Sequence, residues 1–83
     1  MMNTLFTYTT TTRNATVTTT YWCTWEHACK VAEMFLLYNV GSDNFVATWY
    51  DDKTKKPILR RKFYLGEDFI TGEPVVYVND TEY

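Results

Sequence analysis

The chain contains little glycine, proline or cysteine: three, two and two residues among 83. So little glycine and proline leaves no material for long flexible linkers, and a hydrophobic share of 46% is far above that of a disordered chain. A chain of this length has room for one hydrophobic core. We therefore expect a single domain over residues 1–83, with a core built largely from aromatic side chains.

Two cysteines and one histidine also restrict the chemistry that the chain can hold. A structural zinc site usually takes four ligands in paired short spacings, whereas Cys23, His27 and Cys29 stand alone, and His27 and Cys29 would point apart on a helix. We find no glycine-rich phosphate loop and no oriented nucleophile and base. The sequence therefore predicts a protein that is not an enzyme and holds neither metal nor cofactor.

Long apolar runs are missing as well. The longest, MFLLY, is far too short to cross a bilayer. The first residues, MMNTLFTYTT, lack the basic region and apolar run of a signal peptide. We expect a cytoplasmic protein with no membrane partner.

Threonine, by contrast, is abundant in the stretch TYTTTTRNATVTTTYW. Its branched β-carbon suits the pleated surface of a strand and is unfavourable in a helix. Alternation places Phe6 and Tyr8 on one face of the first run and threonines on the other. Asparagine tolerates positive φ, so Arg13 and Asn14 are the predicted tight turn between the two runs. The stretch predicts a β-hairpin with one apolar face and one threonine-coated face.

The spacing of apolar residues becomes helical after this hairpin. Thr24 is the predicted N-cap, and Ala28 and Ala32 lack bulk, which lets a helix approach a sheet closely. Asn39 and Gly41 are the predicted stop signal. We expect a helix over about residues 25–39.

Strand-like segments return in the second half of the chain. NFVATWY and PILRRKFYL flank the polar segment DDKTKK, which predicts a second hairpin, and Pro57 opens its returning strand. VVYV predicts a last short strand, and residues 79–83 a frayed tail. The predicted order is ββαβββ: an α+β domain with an antiparallel β-sheet and one α-helix packed on one face.

Charge separates along this second half, although the net charge is only −2. Basic residues cluster in the second hairpin, and the charged residues after them are all acidic: Lys53, Lys55, Lys56, Arg60, Arg61 and Lys62, then Glu67, Asp68, Glu73, Asp80 and Glu82. The sequence thus predicts a basic patch and an acidic, aromatic C-terminal segment, and either could contact a partner.

We predict that partner binding uses Trp49, Tyr50, Arg60, Arg61 and Lys62, where aromatic and basic residues are interleaved. The acidic segment from Glu67 to Tyr83 is the rival surface, because negative charge on a small rigid body can imitate a phosphate backbone.

Two other hypotheses use different partners. The basic hairpin could bind single-stranded nucleic acid, although strand alternation prevents Arg60 and Lys62 from sharing a side with Arg61. The threonine-rich edge could instead pair with a second copy of the chain to form a homodimer.

The scheme of strand, cap, the short Ala-containing helix in TWEHACKVAEMF and antiparallel hairpin covers about residues 16–62. In size and topology it resembles small phage-encoded anti-defence proteins, among them anti-CRISPR proteins. The resemblance carries over no functional residue. It implies an inhibitor that acts in the host cytoplasm by occluding the surface of a host protein or nucleoprotein complex.

Overall fold

A computed structural model describes residues 2–38 and 40–83 of the chain. It contains five strands and one helix in the order ββαβββ, which confirms the predicted α+β class: β1 (Thr4–Thr11), β2 (Thr16–Cys23), α1 (Trp25–Leu37), β3 (Ser42–Tyr50), β4 (Pro57–Glu67) and β5 (Pro74–Glu82). Within the described residues, no helix is long and apolar enough to span a membrane.

The five strands form one sheet in the order β2-β1-β3-β4-β5, and every neighbouring pair is antiparallel. Because β2 and β3 are both antiparallel to β1, they run parallel to each other, and α1 connects them across β1. The two edges of the sheet are β2 and β5.

The core lies between α1 and one face of the sheet. Phe6 and Phe45 are fully buried there with ring centroids 6.1 Å apart, and Ala28 and Ala32 of the helix are also fully buried. Small side chains on this side of α1 let the backbone approach the two aromatic rings, as the sequence predicts. The opposite face of the sheet has no covering layer in the described part of the chain, and the molecule is 19 Å across in its thinnest direction.

The helix begins as predicted, since the Thr24 hydroxyl accepts a hydrogen bond from the His27 backbone N–H at 3.2 Å. It ends at Leu37, before the predicted end near residue 39. Asn39, the predicted stop residue, lies outside the described residues. Gly41 has a φ of 80°, which fits the region that glycine favours.

The first turn lies where the sequence predicts it but is stabilised differently. Asn14 is not among the described residues with positive φ. Instead, the Thr12 backbone N–H donates to the Ala15 carbonyl at 2.8 Å, and the Thr12 hydroxyl accepts from the Ala15 N–H at 3.2 Å. The turn is thus closed by hydrogen bonds of Thr12 and not by positive φ at Asn14.

The last strand is longer than the sequence suggests. We expected residues 79–83 to fray, but β5 pairs with β4 as far as Glu82 opposite Leu59, and the Tyr83 N–H donates to the Ile58 carbonyl at 3.0 Å. The segment NDTEY has no apolar alternation, so its pairing is provided by the backbone and by the contacts of Asp80 described below.

Candidate functional site

Strand alternation divides the five predicted partner-binding residues between the two faces of the sheet. Arg60 and Lys62 lie on the uncovered face, with Tyr50, whose ring lies 5.3 Å from that of Trp22. The other two residues, Trp49 and Arg61, lie on the helix-facing side. The five therefore do not form one surface.

Arg61 is held by its neighbours. Its Nε and Nη2 donate to the two carboxylate oxygens of Asp80 at 2.7 and 2.8 Å, and its Cζ lies 5.2 Å from the centre of the Trp25 ring. The hydrogen bonds from Arg61 lower the pKa of Asp80, and those same bonds raise the pKa of Arg61. Trp49 packs against the same indole, with ring centroids 6.0 Å apart. Both residues link the sheet to the helix.

The uncovered face is a flat array of threonine and aromatic side chains with a small basic patch. The register of the pairs aligns two rows across all five strands: Thr20, Thr7, Val46, Lys62 and Asn79 in one, and Trp22, Leu5, Thr48, Arg60 and Thr81 in the next. The threonine-coated face predicted for the first hairpin is thus continuous with the cationic face of β4.

Acidic side chains are sorted to the other side of these strands. Glu67, Asp80 and Glu82 alternate with the uncovered positions and so share the helix-facing side with Arg61. Over β4 and β5, both described in full, the uncovered face therefore carries Arg60 and Lys62 and no carboxylate. The net charge of the chain, −2, gives no indication of this local positive charge.

The loop between β3 and β4 is organised by one carboxylate. Asp51 Oδ1 accepts hydrogen bonds from the backbone N–H groups of Lys53 and Thr54 at 2.8 and 2.9 Å, which lowers the pKa of Asp51. The Asp51 carbonyl accepts from the N–H of Lys55, whose φ is 62°, and the Asp51 N–H donates to the Lys56 carbonyl. These hydrogen bonds define the conformation of the loop.

The loop between β4 and β5 has the same construction. Asp68 Oδ1 accepts from the N–H groups of Ile70 and Thr71 at 2.8 and 3.1 Å, and these bonds lower the pKa of Asp68. The Asp68 carbonyl accepts from Gly72, whose φ is 75°, and the Asp68 N–H donates to the Glu73 carbonyl. DDKTKK and DFITGE are thus two sequences for one loop geometry.

The two loops differ in what they present at the tip. The second and third positions are Asp52 and Lys53 in the β3–β4 loop, and Phe69 and Ile70 in the β4–β5 loop. Phe69 is 95% exposed and Ile70 is 82% exposed. Since charged residues occupy these positions in the first loop, the geometry does not require apolar ones. Exposed phenylalanine and isoleucine here have no role in forming the turn.

The strands that carry this apolar tip continue beyond β3. The pairing of β3 with β4 extends only to Phe45 opposite Phe63, whereas β4 and β5 remain paired to Glu67 opposite Pro74. Within this extension the Tyr77 hydroxyl donates to the Glu67 carbonyl at 3.2 Å. The tip is therefore held at the end of an ordered hairpin, which we call the β4–β5 arm (residues 64–77).

The sulfur and imidazole groups lie on the helix-facing side of the sheet, where Arg61 Nη1 is 4.0 Å from Cys29 Sγ. Cys23 is buried and Cys29 half-buried, both are free, and burial raises the pKa of each thiol. The Tyr21 hydroxyl lies 3.2 Å from His27 Nε2. Among the described residues, no group of three or more His, Cys, Asp and Glu side chains could hold a metal ion.

A comparison of the chain with protein-family models, with curated proteins and with solved structures finds no match. The geometry of the chain is therefore the basis for any functional argument.

Phe69 and Ile70 were not predicted individually as binding residues. They lie inside the acidic segment from Glu67 to Tyr83, the predicted rival surface, but nothing in its composition indicated their exposure. The available signal was the repeated spacing Asp-x-x-Thr in DDKTKK and DFITGE, which predicts two similar turns and hence two exposed middle positions.

Proposed function

We propose that the protein is a small inhibitor that binds a larger protein and occludes its surface by inserting the tip of the β4–β5 arm. The observation that carries this proposal is the exposure of Phe69 and Ile70 at the tip of the β4–β5 loop. The β3–β4 loop has the same geometry but presents Asp52 and Lys53 at these positions. The turn does not require apolar residues at these two positions, and binding of a partner explains why they are exposed there.

Burial of this pair would supply a substantial part of a binding free energy. Complete burial of a phenylalanine or isoleucine side chain contributes about 1.5–3 kcal/mol each. The hydrogen bonds of Asp68 hold the loop in place before binding, so little conformational entropy is lost when a partner closes around it.

The charges around the tip indicate the chemistry of the partner. Glu67, Asp68 and Glu73 flank Phe69 and Ile70, so the complementary site is an apolar pocket with a basic rim. Basic surfaces of this kind occur on proteins that bind nucleic acid. This agrees with the host protein or nucleoprotein complex that the resemblance to phage anti-defence and anti-CRISPR proteins implies, and we propose the host cytoplasm as the setting.

A loop exchange tests the proposal with a matched control. Phe69→Asp combined with Ile70→Lys gives the tip the residues of the β3–β4 loop, which the same backbone already accommodates. Tagged wild type and variant are used to capture proteins from a nuclease-treated bacterial lysate, and the affinity for the captured protein is then measured.

We expect the exchange to weaken that affinity at least about 100-fold, as loss of both apolar contacts implies. The control is Arg60→Ala with Lys62→Ala on the uncovered face, which should retain the partner. Equal affinity of wild type and loop exchange would contradict the proposal.

Single-stranded nucleic acid is a second candidate, favoured by Arg60 and Lys62 on the uncovered face, where β4 and β5 carry no carboxylate and Asp43 of β3 is the acidic residue lining the same groove. Tyr64 and Tyr77 lie next to this patch with ring centroids 6.3 Å apart and offer surfaces for base stacking. Fluorescence anisotropy with a labelled oligothymidylate should then show affinity falling with salt, with a log–log slope of about −0.7 for each phosphate contacted. The Arg60→Ala, Lys62→Ala variant should flatten the slope, and an unchanged slope would remove this candidate.

A further inference from the structure

The two edge strands of the sheet, β2 and β5, differ in how well they are protected against pairing with a strand of another chain. At the β5 edge the strand begins with Pro74 and carries the carboxylates of Asp80 and Glu82, which discourage pairing with another strand. The β2 edge, TVTTTYWC, contains no charged residue and no proline. Its eight residues pair with β1 in an unbroken register from Thr16 to Cys23, so no bulge turns the edge away.

The helix covers β2 less than the other strands. It packs chiefly over β3, β4 and β5, away from the β2 edge. Val17 is 53% exposed and Trp22 52% exposed, on opposite faces of the strand. Both the outer backbone groups of β2 and apolar side chains next to them are therefore accessible to a partner strand.

We propose that β2 pairs with β2 of a second copy of the chain, antiparallel and around a two-fold axis at Thr19. With the axis at Thr19, residues 16–22 of one copy all pair with residues 22–16 of the other. The helices of both copies then lie on the same side of the joined sheet. It places Thr18 opposite Thr20 on the uncovered face and Val17 opposite Tyr21 on the helix-facing side. Every facing pair is uncharged, and threonine pairs and pairs of a β-branched with an aromatic residue are favourable across strands.

The same geometry explains why assembly stops at two copies. Pairing of β2 with β2 yields a continuous ten-stranded sheet, five strands from each copy. The outer edges of that sheet are the two β5 strands, with their proline and carboxylates. The contact is isologous, so it closes on itself and offers no free β2 edge for a third copy. This proposal does not depend on the β4–β5 arm, which lies at the other edge of the sheet.

Charge substitutions on the exposed threonines of β2 provide the test. In one variant Thr18 and Thr20 are both changed to Lys, and in a second both are changed to Glu. Around the proposed axis each variant places like charges directly opposite each other twice, which opposes pairing. A mixture of the two variants places opposite charges at the same positions. The matched control changes Asn79 and Thr81 to Glu, on the same face of the β5 edge, where the new carboxylates lie opposite Lys62 and Arg60.

Sedimentation velocity over a range of protein concentrations gives the readout, with circular dichroism to verify that every variant is folded. We expect wild type and the β5 control to be dimers, each β2 variant to dissociate at concentrations at least about tenfold higher than wild type, and the mixture to form a one-to-one dimer. The proposal is overturned by a wild type that stays monomeric at its highest soluble concentration, and equally by β2 variants that dimerise alone as well as wild type does. Concentration-dependent growth beyond two copies would overturn the closed geometry.

Discussion

Arg61 and Asp80 form a two-point ion pair across β4 and β5, with Nε–Oδ1 and Nη2–Oδ2 distances of 2.7 and 2.8 Å. They are directly opposite each other in the register of the two strands, and Trp25 of the helix packs against the guanidinium. The pair thus couples the outer strand to the helix layer. Both side chains remain partly accessible to water, which limits its contribution to stability.

Replacing one partner tests that contribution. Asp80→Asn keeps the shape but removes the charge, and we expect it to lower the free energy of unfolding by about 1 kcal/mol or less. Urea titration near neutral pH measures the change. Asp52→Asn, in an exposed loop position, is the control and should leave the stability unchanged.

The same pair also predicts a dependence on pH. The hydrogen bonds from Arg61 lower the pKa of Asp80 in the folded state, so the stabilisation is complete above the ordinary aspartate pKa of about 3.9 and is lost as the pH falls through the lowered value. Urea titrations at decreasing pH should show wild type and Asp80→Asn converging in acid. A difference that stays constant to the lowest pH would contradict this assignment.

One substitution at two phenylalanines separates folding from binding. Phe45→Ala removes a fully buried ring and should lower the free energy of unfolding by about 3–5 kcal/mol. Phe69→Ala removes an almost fully exposed ring and should change it by less than about 0.5 kcal/mol. Thermal or urea unfolding measures both. A large loss for Phe69→Ala would mean that the tip packs against the fold and is not free for a partner.

Gly66 makes room for an aromatic ring on the β4–β5 arm. A β-carbon at this position would overlap the Tyr77 side chain. We expect Gly66→Ala to cost about 1–3 kcal/mol, because the ring has to move and its hydrogen bond to the Glu67 carbonyl is disturbed. In a Tyr77→Ala background the same change should cost much less, and a double-mutant cycle measures the difference. An additive cycle would show that the ring does not need the glycine.

The two thiols should react slowly. Burial raises the pKa of both Cys23 and Cys29, and the thiolate is the reactive form. Alkylation by iodoacetamide at about pH 8, followed by mass spectrometry, should be slower at both than for an unstructured cysteine peptide, and slowest at the more buried Cys23. Denaturant should remove the difference. Rapid labelling of Cys23 in the folded protein would contradict the packing described for it.

Much of this fold follows from local sequence. Threonine runs with alternating aromatics indicate strands, and a cap followed by helical spacing indicates α1, because side-chain shape and hydrogen bonding act over a few residues. Alternation alone also separates Arg60 and Lys62 from Arg61. The predicted partner-binding site nevertheless included all three residues.

Other features depend on contacts between distant residues and could not be derived in this way. The placement of β1 between β2 and β3 results from packing of the whole sheet. In the sequence Arg61 has the features of a surface cation. Its alignment with Asp80 depends on the register of β4 and β5, which is set by the length of the loop between them. Phe69 and Ile70 lie in GEDFITGEP, whose composition indicates a turn but does not show how exposed the two apolar side chains are.

The sheet order also has a consequence for how the chain folds. β1 with β2, and β3 with β4 and β5, are consecutive hairpins that need only short-range contacts. The two groups meet through β1 and β3, where Thr4 is paired with Trp49, and this pairing closes a loop that contains both β2 and α1. Formation of such a non-local pairing is the slow step in sheets of this kind. We therefore expect two preformed hairpin units whose joining along β1 and β3 limits the folding rate and creates the surface on which the helix docks.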